Sequence, residues 1–141
     1  MPIYLVDTSV WIDYLQDRDA PQVRFLDGLL ANPLATGITD LVFMEVLQGA
    51  RDQRNFDNLF EYFGGQHFFR CDDPIASHAA AARIYFDCRR KGITIRSAAD
   101  CLIAQCALEH DLTLFHHDRD FKAMAGVVKR LRQKHFLSAS D

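Results

Sequence analysis

Residues 3–15 read IYLVDTSVWIDYL, and this stretch points to the fold class. Its first part, Ile3 to Val6, is a short apolar run of the kind that forms a strand covered on both faces. Thr8 or Ser9 can cap a following helix, whose buried face would carry Val10, Trp11, Tyr14 and Leu15. The stretch therefore predicts a strand, a turn and a helix.

The same signals recur along the chain. Further strands are predicted near Leu34 to Ile38, His67 to Phe69, Leu112 to Phe115 and, at an edge, Val127 to Leu131. Further helices are predicted from Pro21 to about Leu30, Leu41 to Leu47, Phe56 to Phe63, Pro74 to Gly92, Ala98 to about His110 and, briefly, after Asp118.

Strands that are separated by helices pair in parallel, because the connections are too long for hairpins. We therefore expect an α/β fold, a three-layer α/β/α sandwich with a central, mostly parallel sheet. A single domain over residues 1–141 would contain it, with the tail after about residue 126 as an edge strand or an extension.

The composition is that of an ordinary folded protein. Of the 141 residues, 49% are hydrophobic and 25% are charged, which excludes a disordered chain. The four cysteines form no CxxC pair, so reduced core thiols are expected rather than a zinc site. No signal peptide precedes Asp7, and no apolar run approaches the roughly 18 residues of a membrane span, so we expect a cytoplasmic protein with no membrane partner.

Two acidic residues follow predicted strands. Asp7 comes directly after Val6, and Asp118 comes after Phe115 and two histidines. In open parallel sheets, ligands bind outside the carboxyl ends of the strands. Both acids are therefore expected at one edge of the sheet.

Two further acids are isolated charges in apolar helices. Glu45 is the only charged residue between positions 41 and 50, and Asp100 is the only one between positions 97 and 108. A helix that is apolar nearly all round is a buried helix, and a lone carboxylate on it is costly unless it is paired or binds a cation. No Lys or Arg stands at helical spacing from Glu45 to pair with it.

Ordinary structural roles are also open to these acids. Asp7 can end a strand and start a turn, Asp100 can complete a capping box with Ser97, and Asp118 can cap the helix after it. Glu45 has the weakest alternative of this kind.

If all four acids meet, two charges about 4 Å apart repel by roughly 4 kcal/mol at an effective dielectric of about 20. An oxygen-only site of this kind suits Mg²⁺ or Mn²⁺, which can activate water against a phosphodiester.

Four segments together resemble a known family. LVDTSVWIDYL, FMEVLQGA, SAADCLIAQCAL and LFHHDRDF, in this order, look like the motifs of the PIN domain, and more closely of VapC-type toxins of bacterial toxin–antitoxin pairs. The resemblance covers Ile3 to about Phe121. It implies a metal-dependent endoribonuclease, a hydrolase of RNA phosphodiester bonds that leaves a 5′-phosphate and a 3′-hydroxyl. It also implies a homodimer and a small antitoxin protein that neutralises it.

The resemblance also implies roles for individual residues. The catalytic, metal-binding acids would be Asp7, Glu45, Asp100 and Asp118. Thr8 and Ser9 would support them through hydroxyl or backbone contacts. His116 stands where many relatives carry Thr, so it is either a packed strand-end residue, which we favour, or an extra ligand or phosphate contact. Asp120 is close enough in sequence to replace Asp118 as the fourth acid.

Three other functions start from the same acids. A haloacid-dehalogenase-like phosphatase would use Asp7 as its nucleophile, but its D-x-D motif needs an acid at Ser9. A receiver domain needs an acidic pair after its first strand and a Lys after its last, and neither is present. A catalytically silent PIN-like module that binds protein or RNA would keep the fold and use the acids as caps.

Basic and apolar residues suggest where partners bind. The formal net charge of −3 argues against holding RNA by bulk electrostatics, so local clusters matter. We expect the RNA backbone to be guided by the cluster before the Asp100 helix, which comprises Arg89, Arg90, Lys91 and Arg96. Apolar residues of the early helices offer a surface for a dimer or antitoxin contact, although core packing explains most of them equally well: Trp11, Phe25, Phe56 and Phe60.

Overall fold

The computed structural model describes residues 1–141 and contains seven helices and four strands. The strands are β1 (Tyr4–Val6), β2 (Thr36–Gly37), β3 (Thr113–Phe115) and β4 (Arg132–Lys134). The helices are α1 (Thr8–Leu15), α2 (Pro21–Leu29), α3 (Asp40–Gln48), α4 (Gln53–Gly64), α5 (Pro74–Arg90), α6 (Ala98–Glu109) and α7 (Arg119–Met124). None of the helices is both long enough and apolar enough to cross a membrane.

The four strands form one parallel sheet in the order β2-β1-β3-β4. Tyr4 of β1 is aligned with Thr36 of β2 on one side and with Thr113 of β3 on the other. Since every pair is parallel, all four strands end at the same side of the sheet, which we call the carboxyl edge. The predicted α/β fold with a central parallel sheet is confirmed, and Asp7 and His116 directly follow neighbouring strands at this edge.

A hydrophobic core of 25 buried residues joins the sheet to the helices. Leu5 and Val6 of β1 and Leu114 and Phe115 of β3 are completely buried, so the two central strands are covered on both faces. Three of the four free cysteines are buried in the same core. Continuous apolar runs in β1 and β3 are what such doubly covered strands require.

The early aromatic residues divide between the two roles that the sequence left open for them. Trp11 is completely buried and packs edge-on against Phe63 of α4, with ring centroids 4.8 Å apart, so it belongs to the core and offers no surface to a partner. Phe25 is half-buried against Phe115. Phe56 and Phe60 of α4 remain exposed.

Local sequence explains where most helices begin. The Thr39 side chain accepts a hydrogen bond from the backbone N–H of Val42 and starts α3. Pro74 takes the first position of α5, where a missing N–H costs nothing. The predicted cap of α1 is wrong: Thr8 and Ser9 are already helical, and Asp7 is the capping residue because its backbone is still extended.

Two predicted strands differ from the structure. The edge strand expected at residues 127–131 lies instead at Arg132–Lys134, because the N–H groups of Val127 and Val128 both bond back to the carbonyl of Met124 and continue the turn after α7. The strand expected at His67 to Phe69 is reduced to one bridge, between Phe68 and Ile38.

Helix α3 is less buried than its apolar sequence predicts. Val42 and Val46 face the core, but the side of Met44 is open to solvent at 55% exposure. Glu45 is half-buried on this helix. The prediction that Glu45 lies in an apolar interior therefore holds only in part. Helix α6, with five buried residues, is the interior helix that was expected.

Candidate active site

Asp7 lies at the carboxyl end of the central strand. Its N–H donates to the carbonyl of Phe115 at 2.9 Å, and its Oδ2 accepts hydrogen bonds from the backbone N and the Oγ of Ser9 at 3.0 and 2.6 Å. The side chain is only 4% exposed. Burial, and then the negative charges of Glu45 and Asp118, raise the pKa of Asp7 to about 6 in spite of the bonds from Ser9.

Asp100 lies in the first turn of α6 and is half-buried. Burial, followed by the negative charges of Asp7, Asp118 and Glu45, raises the pKa of Asp100 to about 7. The capping-box alternative is not formed, because the Ser97 side chain makes no capping hydrogen bond at this helix start. Asp100 is therefore set in the field of the other acids.

Glu45 reaches the same place from α3. Its Oε1 accepts a hydrogen bond from Oγ1 of Thr8 at 2.8 Å, which links α3 to the first turn of α1. None of the eight ion pairs in the chain includes Asp7, Glu45 or Asp100. These three carboxylates thus have hydroxyl or amide partners, or only each other, and no protein cation.

Asp118 and Asp120 share one arginine. Arg96 donates from Nη2 to Oδ1 of Asp118, and from Nε and its backbone N to Oδ2 of Asp120, each at 2.9 Å. Asp118 also caps α7 by accepting from the N–H of Asp120. Asp120 is buried under Arg96, whereas Asp118 keeps Oδ2 free of hydrogen bonds and acts electrostatically on Asp7 and Asp100. The negative charges of both acids raise the pKa of Asp100, and that of Asp118 also raises the pKa of Asp7.

The chemistry of this cluster suits a divalent cation. Its donors are carboxylate and hydroxyl oxygens, which Mg²⁺ and Mn²⁺ prefer. The raised pKa values of Asp7 and Asp100 show that negative charge there lacks compensation. No three His, Cys, Asp or Glu side chains form a ready-made set of ligands. Mg²⁺ does not require one, since it usually binds through one or two carboxylates and keeps several waters.

Most of the chain, including the four acids, is similar to a known protein family. The PIN-domain family model matches residues 4–127, which include Asp7, Glu45, Asp100 and Asp118. Ribonuclease VapC11 of Mycobacterium tuberculosis is 35% identical over 125 residues, which cover 88% of this chain and 92% of that protein.

The chain belongs to the PIN-domain family.

Solved PIN-domain structures share its fold. VapBC2 from Rickettsia felis, crystallised with a DNA fragment from its promoter, superposes with a TM-score of 0.69 at 18% identity and covers 96% of this chain and 99% of that one. VapBC-5 from Mycobacterium tuberculosis, of the VapBC family of toxin–antitoxin systems, gives a TM-score of 0.64 at 18% identity, with 98% and 100% covered.

His116 of this PIN domain is completely buried. Its Nδ1 accepts from the N–H of Asp118 at 3.1 Å, and its Nε2 lies 2.7 Å from Oε1 of Gln133 in β4, so the proton resides on Nε2. Burial lowers the pKa of His116 to about 4, which keeps the ring neutral. Both ring nitrogens are engaged, so this geometry matches a packed strand-end residue.

Sequence reasoning missed two connections in the PIN domain. Ser9 Oγ accepts from the backbone N–H of His117 at 2.9 Å while it donates to Asp7, so one hydroxyl joins β1 to the loop after β3. Arg96, expected to guide RNA, is bound to Asp118 and Asp120, and its contact with RNA stays a prediction. Both contacts span distant positions, and no local pattern signals them.

The remaining members of the predicted basic cluster lie at the end of α5. Arg89 and Arg90 are exposed, with their guanidinium groups over the rings of Tyr85 and Phe86 at 6.0 and 5.6 Å. Lys91 is the exposed residue that ends the helix. Their contact with RNA stays a prediction.

Proposed function

We propose that this PIN domain is a Mg²⁺- or Mn²⁺-dependent endoribonuclease and the toxin of a toxin–antitoxin pair. The observation that carries the proposal is the set of acids at the carboxyl edge: Asp7, Glu45 and Asp100 have no protein cation, and burial together with neighbouring carboxylates raises the pKa of Asp7 and of Asp100. Relatives support the choice of reaction, since VapC11 is named a ribonuclease and VapBC-5 belongs to toxin–antitoxin systems.

Asp7 and Asp100 are the residues proposed to hold the ion, because neither has a protein cation and burial with neighbouring carboxylates raises the pKa of both. Glu45 and Asp118 would complete the negative charge around it. A bound divalent ion supplies a Lewis acid that lowers the pKa of water and stabilises charge on a phosphodiester. Thr8 and Ser9 orient Glu45 and Asp7 through their hydroxyl groups.

The neighbouring apolar surface supports the partners proposed for a toxin. Met44 of α3 and Phe60 of α4 are 55% and 56% exposed, and Phe43 packs against Phe60 with ring centroids 6.0 Å apart. Exposed apolar residues on two helices that pack together are suited to a second copy of the chain or to an antitoxin. We propose a homodimer bound by a small antitoxin in the cytoplasm, whose reducing conditions suit four free thiols.

Cleavage of single-stranded RNA tests the activity. The unmodified chain is expected to cut RNA with Mn²⁺ or Mg²⁺ and not with EDTA. Asp7→Asn and Asp100→Asn should each lose several orders of magnitude of activity, because an amide cannot replace a ligating carboxylate. Asp27→Asn is the matched control, since Asp27 is exposed on α2. Metal-independent cutting, or Asp7→Asn with full activity, would contradict the proposal. No cutting by the unmodified chain, with Asp7→Asn indistinguishable from it, would leave a binding module.

A further inference from the structure

A polar cavity of about 430 Å³ opens beside the acidic site. Its lining includes Arg96, His117, Asp118 and Arg119 and, from the tail, Asp141. His117 connects it to the site, because its backbone N–H bonds to the same Ser9 hydroxyl that holds Asp7. The cavity therefore adjoins the carboxylates on the side of β3.

The cavity presents donors that the fold does not use. Arg119 is exposed, and its side chain makes no hydrogen bond or ion pair with any other residue. The ring of His117 lines the cavity, and neither of its nitrogens has a hydrogen-bond partner in the protein, Nδ1 being buried. Arg96 uses Nε and Nη2 for Asp120 and Asp118, and its Nη1 is left over. All three residues line this one cavity, Arg96 from the loop before α6, His117 from the loop after β3 and Arg119 from the start of α7.

An anionic group already occupies one wall of the cavity. The carboxylate of Asp141 accepts hydrogen bonds from the backbone N and Oγ of Ser138, and these bonds, with the positive charge of Lys122, hold its pKa below the ordinary value. Lys122 also donates to the backbone carbonyls of Ser138 and Asp141 and fixes the tail in place. The cavity thus accommodates negative charge, and Asp141 would compete with any other anion there.

We propose that this cavity is a phosphate subsite, in which Arg119, His117 and the free nitrogen of Arg96 bind a backbone phosphodiester of the substrate RNA next to the one that is cut. The assignment rests on the proposed ribonuclease function. Arginine and histidine donors are the usual partners of phosphate oxygens, and such contacts position the strand without reading its sequence. The subsite would hold the RNA while the acids act on the neighbouring linkage.

RNA binding to the Asp7→Asn chain in EDTA tests the subsite without cleavage. With a fluorescent single-stranded oligonucleotide, Arg119→Gln should weaken binding about tenfold at low salt, as expected for one charge-assisted contact. It should also reduce the slope of log affinity against log salt by about 0.7, the value for one phosphate on a single strand. Arg54→Gln, an exposed arginine of α4 without an ion pair, is the control and should change neither quantity.

Asp141→Asn is expected to change the affinity for RNA in the opposite direction. Removing the competing carboxylate should strengthen binding several-fold, which a merely structural role of the tail does not predict. Unchanged affinity and salt slope in Arg119→Gln and His117→Gln would overturn the subsite. Displacement of the RNA by micromolar inorganic phosphate would also overturn it, because the cavity would then be a free-anion site.

The failure of this inference and that of the proposed function are separate results. Metal-dependent cleavage by the unmodified chain, with no effect of Arg119→Gln on binding, removes only the subsite. A loss of salt slope in Arg119→Gln without any cleavage by the unmodified chain removes only the nuclease.

Discussion

Thr8 donates a hydrogen bond of 2.8 Å from Oγ1 to Oε1 of Glu45, 37 residues away in the chain. The bond ties the first turn of α1 to the middle of α3 at the carboxyl edge. It gives Glu45 a fixed orientation without a positively charged partner, so the carboxylate is not already paired with a protein cation.

Thr8→Val should therefore impair cleavage more than folding. Valine keeps the shape and removes the hydroxyl, so Glu45 loses its partner and its orientation. We expect the free energy of unfolding to fall by roughly 1 kcal/mol, the contribution of one hydrogen bond, and kcat/KM to fall about tenfold. Thr8→Ser should restore both in part, and Thr94→Val, at an exposed position, is the control. Unaltered cleavage by Thr8→Val would show that Glu45 needs no orientation.

Ser9→Ala should affect two elements at once. The Ser9 hydroxyl donates to Asp7 and accepts from the N–H of His117, which would be left without this partner. Stability should fall by about 1–3 kcal/mol. The pKa of Asp7 should rise further, since the lost bond holds it down. Chemical denaturation and the pH dependence of cleavage measure the two effects, and a pH profile that does not move to higher pH would contradict the role of Ser9.

The stability of the metal-free protein should depend on Asp100 in a defined pH range. Its pKa is about 7 in the folded protein, against the ordinary value of 3.8 that applies to the unfolded chain. Between these two pH values the folded state therefore binds more protons than the unfolded state. Stability from this group is complete below pH 4 and is lost as the pH rises through 7. Asp100→Asn should remove this contribution, so the variant gains stability relative to the parent as the pH rises from 4 to 7 in EDTA.

His116 acts in the opposite direction, since its folded pKa of about 4 lies below the ordinary 6.5 and costs stability as the pH falls between them. Both chains contain His116, so its contribution cancels in the difference between the unfolding free energies of the parent and Asp100→Asn. A constant difference in unfolding free energy from pH 4 to 7 would contradict the raised pKa of Asp100.

Gly37 should not tolerate a side chain. A Cβ at this position of β2 would lie 2.2 and 2.5 Å from two ring carbons of Phe69 and 3.0 Å from the carbonyl oxygen of His67. Gly37→Ala should destabilise the protein by about 1–3 kcal/mol through overpacking. Gly28→Ala is the matched control, because nothing lies within 4 Å of its Cβ in α2, and it should stabilise by about 0.5–1 kcal/mol. Equal thermal shifts of the same sign in both variants would be inconsistent with this packing.

The sequence predicted the helices well because their signals are local. Thr39 and Pro74 mark the starts of α3 and α5 within a single turn of the chain. β4 was misplaced because Arg132–Lys134 has no apolar residue, and it is a strand only through its pairing with β3. The more apolar residues before it attracted the prediction.

The candidate site was likewise predictable only where its signals are local in sequence. Asp7 and Asp118 were predictable at one edge because each follows a strand of a parallel sheet. The binding of Arg96 to Asp118 and Asp120, over 22 and 24 positions, depends on how two loops meet. Local sequence could identify Arg96 as basic, but not its partners.

Titration of the chain with Mn²⁺ at neutral pH, followed by calorimetry, tests most directly whether the acids form one metal site. We expect the parent to bind Mn²⁺, Asp7→Asn and Asp100→Asn to bind it about a hundredfold more weakly, and Asp27→Asn to bind it like the parent. Equal affinity of Asp7→Asn, Asp100→Asn and the parent would contradict a shared metal site at the carboxyl edge.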